Sequence, residues 1–103
     1  MPTFIMLTKL AHGSLRSVAD LEKLETRAMD RIQTECKDVA WRSNFAVLGP
    51  YDYLDVFDAP DIETAMKVST IVRTFGHADT EVWPAKTWRD YKDMVRGLSA
   101  GER

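Results

Sequence analysis

One cysteine, two histidines and five glycines are all that this chain of 103 residues holds of three residue types that carry much of enzyme chemistry. With Cys36 alone, no intramolecular disulfide can form, and a reducing, cytoplasmic setting is expected. His12 and His77 stand far apart, with no HxH or HExxH spacing, so no metal site is expected. The chain contains no GxGxxG, no GxxxxGK followed by Ser or Thr, no GxSxG and no CxxC. The usual dinucleotide, phosphate-loop, serine-nucleophile and thiol-redox mechanisms therefore lack sequence support, and no cofactor is expected. No apolar run approaches the ~20 residues that span a bilayer. The opening MPTFIMLTKLAHGS has no basic n-region and alternates as a strand does, so it is not expected to be a signal peptide. Fourteen Lys and Arg face sixteen Asp and Glu for a net charge of −2, without a basic cluster. That balance leaves no electrostatic footprint for nucleic acid or for a membrane surface.

What remains is an ordinary globular composition, 45% hydrophobic and 29% charged. The length suits one domain, read as residues 1–98, with the tail 99–103 expected to fray. TFIMLTK at 3–9 predicts a first strand. Ser17, three residues before Asp20, predicts a helix start, and Leu21, Leu24, Ala28, Ile32 and Cys36 then recur at helical spacing. VAWRSNFAVL at 39–48 and YDYLDVF at 51–57 read as strands joined at GPYD. Asp61 suits the cap of a second helix with Ile62, Ala65, Val68, Val72 and Phe75 on its apolar face. ADTEVWP at 78–84 predicts a fourth strand, and Trp88, Tyr91, Val95 and Leu98 predict a helix over 87–98.

The order strand–helix–strand–strand–helix–strand, followed by a helix, predicts an α+β fold of the ferredoxin-like kind. Such a fold is an antiparallel four-stranded sheet with two helices on one face and an extra C-terminal helix. Taking GPYD as a two-residue turn sets Val47 opposite Leu54 and Phe45 opposite Val56 beneath the helices. Tyr53, Asp55 and Phe57, with Leu48, Ala46 and Asn44 opposite them, then fall on the uncovered face. Phe4, Met6, Arg42, Glu81 and Trp83 are expected there too. The opposite choice would put Asp55 beneath the helices, and a carboxylate is costly there without a partner. So much apolar surface predicts a contact between two copies, a ligand pocket, or both together.

GPYDYLDVFDAPD at 49–61 and RTFGHADTEVWPA at 73–85, with the opening MPTFIMLTKL, resemble the GYD family over roughly residues 1–95. That family belongs to the wider dimeric α/β-barrel group of ferredoxin-like proteins, so the resemblance implies a homodimer. It carries over no agreed catalytic residue. The wider group includes cofactor-independent monooxygenases, isomerases and ligand-binding regulatory domains, a likeness at the level of fold. The implied function is a homodimeric small-molecule-binding or accessory domain. The alternative is a cofactor-independent enzyme of the monooxygenase or isomerase kind.

In the corner itself, Gly49 suits an unusual backbone angle, Pro50 pre-sets a negative φ, and Asp52 suits a hydrogen bond that fixes the turn. Tyr51 has no local need at a turn tip, which suggests a ligand or a partner copy. Asp55 is the candidate acid or base, with Arg42, Asn44 or Tyr53 to pair it. His77, just past a helix end, suits either capping or proton transfer. Arg42, Asn44, Tyr51, Tyr53, Asp55 and Trp83 form the candidate ligand set, and Asp55 and His77 the candidate catalytic pair. Cys36, on an apolar stripe, reads as a small hydrophobe.

Overall fold

The computed structural model describes residues 1–11, 17–75 and 78–98. The elements follow as β1 (Thr3–Leu10), α1 (Val18–Glu35), β2 (Ala40–Ala46), β3 (Tyr53–Asp58), α2 (Ile62–Phe75), β4 (Ala78–Ala85) and α3 (Trp88–Arg96). The strands pair antiparallel in one sheet of order β2-β3-β1-β4. This is the ferredoxin-like α+β architecture, extended by α3.

Side chains chosen for the purpose start each helix. Ser17 Oγ accepts the N–H of Asp20 at 3.2 Å, and Asp61 Oδ1 accepts that of Thr64 at 2.8 Å. Thr87 Oγ1 accepts that of Asp90 at 3.1 Å. Each bond satisfies an N–H that the helix leaves unpaired in its first turn, typically worth ~1 kcal/mol. α1 closes where the N–H of Cys36 bonds the Ile32 carbonyl at 2.7 Å.

The core lies between α1, α2 and one face of the sheet. Phe4, Met6 and Phe57 from the sheet meet Ile32 and Cys36 from the end of α1 and Ala65, Val68 and Ile71 of α2. Phe57 has no exposed surface, stacks on Phe4 with centroids 5.7 Å apart, and touches the Trp41 ring at 5.2 Å. Burying one such side chain contributes roughly 2–3 kcal/mol.

This placement corrects the expected faces. Met6 pairs with Asp55 and Phe4 with Phe57, so Tyr53, Asp55 and Phe57 share the face beneath the helices. Ile5, Leu7, Leu54 and Val56 lie on the uncovered face, together with Phe45, which pairs with Leu54. Only Arg42, Glu81 and Trp83 stay where the sequence put them. Both strand parities carry apolar residues, so alternation alone could not select the buried one. The hairpin register also differs. Ala46 pairs with Tyr53, and the N–H of Val47 bonds the Asp52 carbonyl at 3.0 Å, which leaves a four-residue loop instead of a two-residue turn. A bulge between Trp41 and Ser43 then inserts Arg42 as an extra residue. It swings Trp41 to the helix side, out of the parity it would otherwise share with Phe45.

Candidate functional site

A pocket of about 450 Å³ lies between the first half of α1 and the sheet. Burial along α1 explains it: Ala28 and Ile32 are buried, whereas Leu21 and Leu24 are only half-buried. The helix therefore diverges from the sheet toward its N-terminus. Leu21, Leu24, Ala28 and Met29 form the roof. Met6 and Thr8 of β1, Trp41 and Asn44 of β2, and Tyr53 and Asp55 of β3 form the floor, with Val72 of α2 behind.

Asn44, Tyr53 and Asp55, three residues singled out by the sequence, meet here. The Asn44 amide donates to Asp55 Oδ1 at 2.6 Å, across the pair that the two residues form in the ladder. Burial pushes the Asp55 carboxyl above its ordinary range; the Asn44 bond pulls it down, and the negative charge of Glu25 adds to the rise. Tyr53 is held protonated by burial and by the charges of Asp52 and Glu25, so its hydroxyl is a donor. The partner for Asp55 is thus a neutral amide, not Arg42. Glu25, in the roof, was not anticipated. Its signal was present: it stands four residues after Leu21 and three before Ala28, on the same stripe of α1. The arrangement suits a small, mainly apolar molecule that offers a hydrogen-bond donor to Asp55 and an acceptor to Tyr53.

The other candidates lie on the opposite face. Arg42 donates from Nε to Asp58 Oδ2 at 2.6 Å and forms an ion pair with it, while Thr3 Oγ1 donates to Asp58 Oδ1 at 2.6 Å. The Thr3 hydrogen bond and then Arg42 hold the Asp58 carboxyl below its ordinary range. Tyr51 reaches across β1 and donates its hydroxyl to Glu81 of β4, and Trp83 Nε1 donates to the same carboxylate at 3.1 Å. Tyr51 therefore has a partner within its own chain, and Arg42, Tyr51 and Trp83 are separated by the sheet from Asn44, Tyr53 and Asp55.

The corner between β2 and β3 is structural. Gly49 has φ +143°, a region that side-chain-bearing residues rarely adopt. The Asp52 N–H bonds the Thr8 carbonyl at 2.8 Å, and its Oδ2 accepts the Leu10 N–H at 2.8 Å, tying the loop to the end of β1. Cys36 is buried, and desolvation pushes its thiol up, as for an inert hydrophobe. His12 and His77 lie outside the described residues. Among the described residues, no three His, Cys, Asp or Glu side chains cluster to hold a metal ion, and no helix is long and apolar enough to cross a membrane.

Among solved structures, the leucine response regulatory protein of Mycobacterium tuberculosis matches with a TM-score of 0.57 and 14% identity. The match covers 84% of this chain and 52% of that one, so the chain spans about half the length of that protein. The protein FFRP-DM1 matches with a TM-score of 0.53 and 17% identity, over 84% of this chain and 100% of that one. At these identities the likeness is one of fold. Curated proteins offer no match. The model of the GYD domain matches residues 4–95, nearly the whole of the chain whose Gly49, Tyr51 and Asp52 build the corner described above. The chain belongs to the GYD domain family.

Proposed function

We propose that this chain is a homodimeric small-molecule-binding domain, with its ligand in the pocket between α1 and the sheet. The observation that carries the reading is the pocket floor. Asp55, Asn44 and Tyr53 converge in a cavity otherwise walled by Leu21, Leu24, Met29, Trp41 and Val72. Its volume of about 450 Å³ falls in the range of small-ligand sites, roughly 300–1,000 Å³. The homodimer is supported by the uncovered sheet face, where Phe45 and Trp83 are 56% and 47% exposed beside Ile5, Leu54 and Val56.

A thermal-shift screen of small organic molecules tests the binding. Hits should stabilise the wild type and fail to stabilise Leu24→Trp, whose indole would fill the roof. Hits that act equally on both proteins, or a screen without hits, would overturn the reading. Native mass spectrometry of freshly purified protein reports any retained molecule together with stoichiometry.

A second reading, a cofactor-independent enzyme of the monooxygenase or isomerase kind, is favoured by one observation. Asp55 is a carboxyl raised by burial at the base of an apolar pocket, the environment of a side chain that takes up a proton from a bound substrate. Turnover of an identified ligand that is lost in Asp55→Asn while binding persists would establish it. Turnover that survives the substitution would remove Asp55 from that role.

A further inference from the structure

α3 has no buried residue. Its side chains Trp88, Tyr91, Met94 and Val95, with Leu98 just beyond, are 41–69% exposed. Trp88 and Tyr91 stack on one another with centroids 5.6 Å apart, and Val95 continues their stripe at a spacing of four. A helix of nine residues is well below the ~12–15 that an isolated helix needs in water. The Thr87 cap and the Arg96–Asp93 ion pair add only tenths of a kcal/mol to about one. The fold of this segment is therefore completed by something that covers the stripe.

We propose that α3 of each copy packs its Trp88–Tyr91–Val95 stripe against the uncovered sheet face of a second copy, as a reciprocal clasp. This inference rests on the homodimer reading above. It adds the element that would hold the pair together.

Several observations identify the occupant as a second copy. The chain carries both halves of the contact, an apolar helix stripe and an apolar sheet face with exposed Phe45 and Trp83. Only Lys86 and Thr87 separate β4 from α3, yet α3 buries none of its residues against its own sheet or helices. An open notch of about 1050 Å³ is left between α3 and the end of the sheet, lined by Pro2, Pro84, Ala85, Trp88 and Tyr91. That is room for the edge of another domain.

Charge agrees. Glu81 on the sheet face accepts two hydrogen bonds but has no ion-pair partner among the described residues, and Asp79 shares its face opposite Lys9. Lys92, which flanks the stripe on α3, likewise forms no ion pair among the described residues. A standard interface buries ~800 Å² per partner, and an aromatic side chain supplies roughly 150–250 Å² when fully covered. Phe45, Trp83, Trp88 and Tyr91, 44–69% exposed, can supply roughly 300–550 Å² of it.

The test pairs sedimentation with hydrogen exchange. Wild type should sediment as a dimer at tens of micromolar, and Tyr91→Glu with Val95→Glu should raise the dissociation constant at least tenfold. Far-ultraviolet circular dichroism of the sheet and of α1 and α2 should not change, because neither residue touches the core. In wild type, the amides of α3 should be protected at dimeric concentrations and exchange as in an unfolded peptide on dilution. Protection independent of concentration would mean that α3 folds onto its own chain, and would overturn the proposal. An unaltered dissociation constant in the double variant would also overturn it while leaving a sheet-only dimer standing. A monomeric wild type would remove the homodimer reading as well, but would leave the pocket untouched.

Discussion

The carboxylate of Asp52 accepts the backbone N–H of Leu10 at 2.8 Å, and through that bond the loop after β2 is fixed to the end of β1. The contact joins residues 42 positions apart, so it stabilises only the folded chain. Asp52→Ala leaves a part-buried N–H unpaired and should lower stability by ~1–2 kcal/mol, or about 4–8 °C per kcal/mol in a domain of this size. Thermal and urea unfolding check this.

Gly49→Ala is expected to destabilise as well, by ~1 kcal/mol or more. Nothing lies within 4 Å of the Cβ it would add, so the whole cost comes from the backbone at φ +143°. Gly49→Asn should cost as much as Ala, because φ +143° lies beyond the left-handed region, at about +60°, that Asn tolerates. A clearly smaller loss for Asn would show that the loop relaxes toward that region.

Asp55 should make the protein less stable as pH rises. Its folded pKa lies above the unfolded value, so the stability it contributes is complete below about pH 4, the ordinary carboxylate range, and is lost as pH rises through the folded pKa. Asp55→Asn removes that loss and keeps an oxygen near Asn44. The variant should equal or exceed wild type in urea midpoint at pH 7, and the gap should close toward pH 4.

Asp58 acts in the opposite sense. Thr3 and Arg42 depress its pKa, so its contribution is present above about pH 4 and disappears as pH falls through the lowered folded value. Thr3→Val should shift the onset of acid unfolding to higher pH. Arg42, whose side chain is 64% exposed, should matter less when replaced by Gln. Circular dichroism between pH 2 and pH 5 separates the two.

Phe45→Asp tests the sheet contact. It places a charge on the uncovered face, on the edge strand β2, without touching the core, and should give a folded monomer by sedimentation. Phe57→Asp, by contrast, should fail to fold, because Phe57 is fully enclosed. A folded Phe57→Asp would contradict the observed faces.

Much of this molecule is written locally. The apolar spacing in α1 and α2, the caps Ser17, Asp61 and Thr87, and the glycine and aspartate of the corner each depend on a few neighbouring residues. They yield the element order and hence the ferredoxin-like fold. Which face of the sheet is covered was not local. Ile5, Leu7, Leu54 and Val56 on one parity compete with Phe4, Met6 and Phe57 on the other, and only packing against α1 and α2 selects the bulkier set. The bulge at Arg42, which moves Trp41 to that side, follows from the same packing. The pocket is more tertiary still. It exists because α1 leaves the sheet at an angle, and that angle gives Asp55 space beneath the helices, beside the Asn44 partner that the sequence named but set on the other face.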